Sequence, residues 1–289
     1  MKTMLVLSMG ALLLAGTLSA QTPVPEWQAG VDKVKTLIQS NPAQASEEAG
    51  ELLKGKNKKN VDLVTSVAHV YLDAGKITEA QEYLAMAKKA NNKDPKVSVL
   101  EGDIALAQKN IGQACQLYEQ AIYFDPNCKE AYLKYAQAYK SASPTQAIEK
   151  LEQLKAVDPN CLEADRELAE VYYSGNRFGK AAEMYAKFID TPLATEDDML
   201  KYAFALFLNH DFEKSLQVAQ KGLQKNARHA AFNRLVMYNN TDLKRYEDAE
   251  KAADAFFNAS DRADYSYLDY RYYGALLSAL KKYDKAIIE

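Results

Sequence analysis

Turn residues are scarce in this chain. Glycine and proline, 12 and 8 in number, make up about 7% of the 289 residues, where soluble proteins average about 12%. So few breakers cannot punctuate the many strands of a sandwich or barrel, and long helices are the expected alternative. A surplus of charge is also lacking, since 36 basic side chains face 39 acidic ones for a net charge of -3. No global field draws in a phosphate backbone, so nucleic acid is not an expected partner. Disorder is excluded by an ample apolar content of 48%. The three histidines, His69, His210 and His229, fall in no ligand spacing such as H-E-x-x-H, and no nucleophile elbow, phosphate loop or dinucleotide fingerprint occurs. Adjacent acids such as Glu47/Glu48 and Asp197/Asp198 diverge on a helix and cannot share one substrate proton. The expected protein is not an enzyme and uses no cofactor and no metal.

Residues 1–20 read as a leader rather than as part of the fold. Lys2 supplies a positive start, Met4 to Gly16 is an apolar run, and Leu18-Ser19-Ala20 offers a small residue at a cleavage point before Gln21. The run is too short to span a bilayer, which takes about 20 apolar residues, and no cysteine follows it to carry a lipid. The expected location is therefore exported, periplasmic or extracellular, with no membrane span once the leader is removed.

Beyond it the chain aligns with itself. Glu79-Ala80, Gln113-Ala114, Gln146-Ala147, Lys180-Ala181, Lys214-Ser215, Asp248-Ala249 and Lys285-Ala286 recur at intervals of 34, 33, 34, 34, 34 and 37. Twelve residues before most of them stands a small residue, Ala68, Gly102, Ala169, Ala203 and Gly274, with Ala136 in the shorter third row and Met237 as the exception. Four residues after come Leu84, Tyr118, Leu151, Tyr185, Ala219 and Ala253. Steps of three, four and seven lie on one helical face. Each row holds two such stripes with a break between, as at Asp73-Ala74-Gly75 or Asn209-His210-Asp211, so each row predicts an antiparallel helix pair. Asp125-Pro126-Asn127 and Asp158-Pro159-Asn160 close second helices.

These offsets resemble the tetratricopeptide repeat (TPR), a 34-residue unit with small residues at positions 8 and 20, bulky ones at 4, 7, 11 and 24, and proline at 32. Units then begin near Val61, Pro95, Lys129, Leu162, Glu196, Ala230 and Tyr267. The resemblance implies an all-α fold, a right-handed superhelical solenoid of antiparallel helix pairs. Residues 21–60 form a degenerate capping pair, with Trp27, Val31, Val34, Leu37 and Ile38 on one stripe and Pro42 opening the second, followed by a solvated basic loop from Lys54 to Lys59. Residues 61–289 form an array of about seven repeats whose last is truncated in its second helix. Ser215, Gly222 and Asn240 depart from the pattern. Cys128 and Cys161, one repeat apart, sit on elements about 8–10 Å from each other, beyond disulfide reach. Cys115 is farther still, so three free thiols are expected.

The resemblance also implies that positions 2, 5, 9, 12 and 13 of the first helices face a concave groove and that a protein or peptide ligand lies there. In the early units those positions hold Asp62, His69, Leu72, Lys96, Asp103, Leu106, Leu133 and Gln137. In the later ones Arg166, Tyr173, Leu200, Phe204, Phe207, Arg234, Tyr238 and Arg271 suggest an aromatic floor with an arginine rim, suited to an apolar peptide bearing a carboxylate. A second reading stays open for Phe204 and Phe207, which become core if the fifth unit is off register by one. The lysine and asparagine clamp of chaperone-tail binding members is missing at positions 5 and 9. Two other functions remain: the helical stalk of a larger enzyme or envelope-assembly protein whose working domain lies beyond Glu289, and a glycan-binding module.

Overall fold

The computed structural model describes residues 24–260 and 264–283, and among them the regular structure is helical throughout. Helices α1 (Gln28–Ser40) and α2 (Pro42–Leu52) form the first pair, followed by a short 3-10 turn over Gly55–Lys59. Seven first helices come next: α3 (Val61–Asp73), α5 (Pro95–Ala107), α7 (Lys129–Tyr139), α9 (Leu162–Ser174), α11 (Glu196–Leu208), α13 (Ala230–Asp242) and α15 (Tyr267–Ala279). Their starts coincide with the seven unit starts read from the sequence. Second helices alternate with them as α4 (Ile77–Asn91), α6 (Ile111–Phe124), α8 (Pro144–Val157), α10 (Phe178–Phe188), α12 (Phe212–Lys225) and α14 (Tyr246–Ala259). The leader, the Lys285-Ala286 match and Glu289 lie outside the described residues.

One turn is used again and again. The residue at position 15 of a unit takes a positive φ: Gly75, Lys109, Asn176, His210, Lys244 and Lys281. The next amide then reaches back to the carbonyl five residues earlier in the last turn of the first helix, as in Lys76 N to Tyr71 O at 2.8 Å, Arg177 N to Tyr172 O at 2.8 Å and Asp211 N to Leu206 O at 2.9 Å. This left-handed cap satisfies carbonyls that the helix end would otherwise orphan and reverses the chain within a few residues. Only Gly75 adopts that φ at no steric cost. The third unit, one residue shorter, omits the device: Ser143 N bonds Tyr139 O at 2.7 Å and Pro144 opens α8 directly.

Packing follows the two stripes. Ala80, Ala114, Ala147, Ala181, Ser215 and Ala249 are all fully buried where second helices cross first ones, with Leu84, Tyr118, Leu151 and Tyr185 filling the space alongside. First helices of successive units touch directly, α3 on α5, α5 on α7, α7 on α9, α11 on α13 and α13 on α15, while neighbouring second helices touch little. Such a stack curves with its first helices on the inside, making a superhelical solenoid. The step from α9 to α11 is wider, because Pro192 lies just beyond an early-ending α10 and residues 189–195 bridge the gap. At the other end Val31, Val34 and Ile38 of α1, which packs on α3 and α2, share one buried cluster with Ala45 and Ala49, and the lysines of the 3-10 turn are exposed as expected. The three cysteines are free thiols; Cys115 and Cys161 are buried, and burial pushes the Cys115 thiol up to about 11.

The departures from the repeat pattern have local causes. Gly222 leaves room for Phe232, which is fully buried: a Cβ on Gly222 would stand 2.5 Å from its ring. Met237, large where the pattern is small, shares its cluster with Ala219 and Ala253, small where other units carry Leu or Tyr. Volume is exchanged between positions rather than lost. Gly222→Ala should therefore destabilise the protein by about 1–3 kcal/mol through overpacking, even though alanine is the better helix former by about 1 kcal/mol. Gly50→Ala, in α2 with nothing within 4 Å of the new methyl, should instead stabilise by about 0.5–1 kcal/mol. Thermal unfolding of both variants checks this, and an equal shift in the same direction would refute the packing assigned to Gly222.

Candidate functional site

The concave wall is polar along much of its length, and its charges are paired across unit boundaries. Lys96 reaches Asp62, Lys129 reaches Glu163 at 2.7 Å, Gln137 donates to Glu167 at 2.7 Å, and His229 lies 3.1 Å from Glu196. The spacing of these pairs, 30 to 34 residues in sequence, is the repeat itself.

Two arrangements recur in even-numbered units. In the first, an acid at position 9 is held from both sides. Asp103 accepts from Tyr118 Oη of its own unit at 2.7 Å and lies 2.9 Å from both Lys134 Nζ and His69 Nε2 of the flanking units. Burial pushes its carboxyl up, but His69, the Lys134 charge and Tyr118 outweigh burial and hold it below the usual carboxylate range. Glu170 repeats the device, accepting from Tyr185 Oη at 2.7 Å and from Lys201 Nζ at 2.9 Å. Burial, and then the neighbouring carboxylate, raise both phenols, which stay protonated donors.

The second arrangement disposes of the expected arginine rim. Arg166 forks onto Asp198, Nε to Oδ1 and Nη2 to Oδ2 both at 3.0 Å. Asp198 is buried at the third residue of α11, where it closes a capping box with Thr195. Arg234 meets Asp269 through Nε alone, to Oδ1 at 2.8 Å, donates Nη2 to Asp264 O at 2.8 Å and lies 4.7 Å over the Phe256 ring. Asp269 is fully buried and closes a capping box with Ser266. Both arginines are thus clamps between consecutive units rather than receptors for a ligand carboxylate. The signals for them are the patterns Thr195-x-x-Asp198 and Ser266-x-x-Asp269, read beside an arginine one unit earlier.

The expected aromatic floor is also redistributed. Tyr238 is 1% exposed, donates to Asp269 Oδ1 at 2.6 Å and stacks on Tyr272 at 4.3 Å. Phe207 is buried among Phe212, Tyr238 and Tyr272. These two belong to the core, because the clamp on Asp269 draws α13 and α15 together over them. Tyr173, edge-on to Phe178 at 5.7 Å, stays half-buried, as do Leu200 and Phe204, so Phe204 is only partly core. Arg271 is exposed, 5.5 Å from the Tyr272 ring. The eight residues therefore do not form one surface. A hollow lies at the other end of the wall, about 310 Å³ between the first helix pair and the first three units, lined by Trp27, Thr65, Ser66, His69, Val99 and Glu130 among others.

A sequence profile of the tetratricopeptide repeat matches residues 68–127 and 136–193. Over those residues the chain belongs to the TPR family. No curated protein matches it by sequence. Similar solved structures include the C-terminal part of a TPR repeat-containing protein from Cytophaga hutchinsonii, 17% identical over 81% of this chain and 97% of that one with a TM-score of 0.61. PilF of Pseudomonas aeruginosa is 15% identical over 77% and 99% with a TM-score of 0.58. PilW, a type IV pilus biogenesis factor, is 16% identical over 71% and 95% with a TM-score of 0.55. At these identities the likeness concerns the fold alone.

Within the TPR register the clamps join position 5 of one unit to position 3 of the next, and the acid at position 9 pairs with a lysine at position 6 of the next. A TPR protein with these struts resists splaying between units. Arg234→Gln leaves Asp269 buried with part of its bonding lost and should cost about 2–4 kcal/mol. Arg245→Gln breaks an exposed pair with Glu213 and should cost less than about 1 kcal/mol. Chemical denaturation separates the two, and equal small losses would show that the clamp carries no weight.

Proposed function

We propose that this TPR protein is a non-enzymatic, exported scaffold that holds an extended polypeptide against its concave wall. The reading rests on one observation above others: the hollow beside Trp27, where an apolar ring, Val99, the hydroxyl-bearing Ser66 and Thr65, the hydrogen-bonded His69 and the ion-paired Lys96 meet in one depression. Such a lining fits an apolar side chain flanked by backbone amides, which small hydroxyl and ion-paired side chains can meet with hydrogen bonds. The charges of the wall are largely neutralised by one another, so a strongly charged tail gains little there. The half-buried surface of Tyr173, Leu200 and Phe204 extends the track toward the later units. The general use of the fold as a protein-interaction scaffold supports the reading, as does the absence of a catalytic constellation in the sequence. Among the described residues no helix is long and apolar enough to cross a membrane.

Trp27 is the only tryptophan, which makes it a reporter. Peptides selected from an array by binding to the full chain should shift its emission, and Ser66→Arg, which fills the hollow, should weaken them at least tenfold with an unchanged Tm. Binding that leaves the emission untouched, or that falls with Arg271→Glu instead, would move the ligand away from the hollow. Export is checked by the mass of the protein in the exported fraction, expected to begin at Gln21. A product there that keeps residues 1–20 would refute the leader.

A further inference from the structure

On the outer face of the stack, second helices of neighbouring units leave a cleft floored by the first helix beneath them. Between α10 and α12 that floor is Met199 and Tyr202 of α11. Between α12 and α14 it is different. The cleft there, about 520 Å³, is floored by Asn233, Val236 and Asn240 of α13, with Leu216 and Ala252 on its walls and Gln220 beside them. Asn233 and Asn240 stand at positions 4 and 11 of their unit, which in the first unit are Val64 and Tyr71, in the third Tyr132 and Tyr139, and in the fifth Met199 and Leu206. Position 4 is also polar in the second and fourth units, Ser98 and Asp165, whereas position 11 is apolar or aromatic in every other unit, so it is the Asn240 amide that replaces the apolar filling.

Both asparagines are buried, at 5% and 3% exposure. Asn233 Nδ2 donates to Ala227 O at 3.0 Å and His229 O at 3.2 Å, which leaves its Oδ1 as an acceptor. The Asn240 amide has no hydrogen-bond partner among the described residues and borders the cleft. The Asn240 amide atoms are not sealed from solvent, so their hydrogen bonding is left to whatever enters the cleft, and the packing of the stack does not account for a polar group at this apolar position. Asp165, buried at position 4 of the fourth unit, shows the ordinary solution: Lys155 and Lys187 of the second helices on either side bond it at 2.9 and 3.2 Å. No such strut crosses to Asn240.

The charges at the mouth of the cleft are already matched, Arg245 with Glu213 at 2.6 Å and Lys251 with Asp248 at 3.1 Å. A charged ligand group finds no unpaired opposite charge. What the floor lacks is a neutral group that donates and accepts at once, and a primary carboxamide does both in the plane an asparagine presents. Leu216, Val236 and Ala252 would cover the methylenes that carry it, and no aromatic ring lines the cleft for a sugar to stack on. We propose that the cleft between α12 and α14 receives a glutamine or asparagine side chain of an extended polypeptide. The site lies on the face opposite the concave wall and does not depend on the ligand proposed there.

The test is an array of heptapeptides in an alanine background with the central residue varied through all twenty side chains, probed with the full chain. Glutamine- and asparagine-centred peptides should retain at least tenfold more protein than leucine- or glutamate-centred ones. Asn240→Leu, which restores the apolar residue of the pattern, should abolish that preference with a Tm equal to or above the parent; Asn240→Ala serves in its place if leucine lowers the Tm. Ser66→Arg should keep the preference. No carboxamide preference, its survival in the Asn240 variants, or its loss in Ser66→Arg would overturn the proposal. So would binding of an oligosaccharide array that disappears with Asn240→Leu, which would give the cleft to sugars.

Discussion

Two helix backbones can lie close together only where neither carries a large side chain at the crossing. In this chain that crossing is position 20, a fully buried alanine in five of the six described units. The bulky side chains beside it, the left-handed turn that brings the second helix back, and the near-constant period all follow from keeping this approach the same in each unit. The sixth case shows how tight the constraint is. Ser215 adds a hydroxyl to a fully buried site, and that hydroxyl must be bonded: it donates to Ala203 O at 2.8 Å and accepts from Asn239 Nδ2 at 2.8 Å. Asn239 in turn donates to Leu235 O at 2.8 Å, while its Oδ1 has no partner. One added oxygen at the crossing thus continues into the next unit as a buried polar chain.

The period, the helix pairs and the unit starts were legible because they depend on side-chain size at fixed offsets, which a sequence states directly. The first helix pair was legible for the same reason, from Val31, Val34 and Ile38 on one stripe. The left-handed turns were not, because Lys109, Asn176, His210 and Lys244 carry no glycine signal; their φ is imposed by the geometry of the reversal rather than chosen by the residue. The groove was the least legible part. Position numbers say which way a side chain points but not what stands opposite it. Arg166 and Arg234 point into the groove as the register implies, and each meets an aspartate supplied by the next unit. Phe207 and Tyr238 lie off the usual core stripe, yet Tyr272 covers both, a contact that for Phe207 spans 65 residues and two units. Such partners are set by superhelical stacking, which no single row contains.

That pairing bears on what the wall can recognise. Each exposed strut contributes little by itself, but together they occupy most of the charge that a groove built on first helices would otherwise present. The fixed pairs at Asp103 and Glu170, each held by a tyrosine from its own unit and a lysine from the next, also tie the curvature of the stack to the wall, since neither partner can be recruited by a ligand without loosening a unit boundary. Under the proposed function, recognition on the concave side would rest on shape and apolar contact, at the Trp27 hollow and along Tyr173, Leu200 and Phe204. On the other face a polar group open to the cleft stands at Asn240, where the repeat has given up an apolar side chain and no neighbouring unit has supplied a strut. A protein stiffened inside and open to hydrogen bonding outside offers two chemically different surfaces on one rigid frame, and a polypeptide that used both would be held in a single orientation.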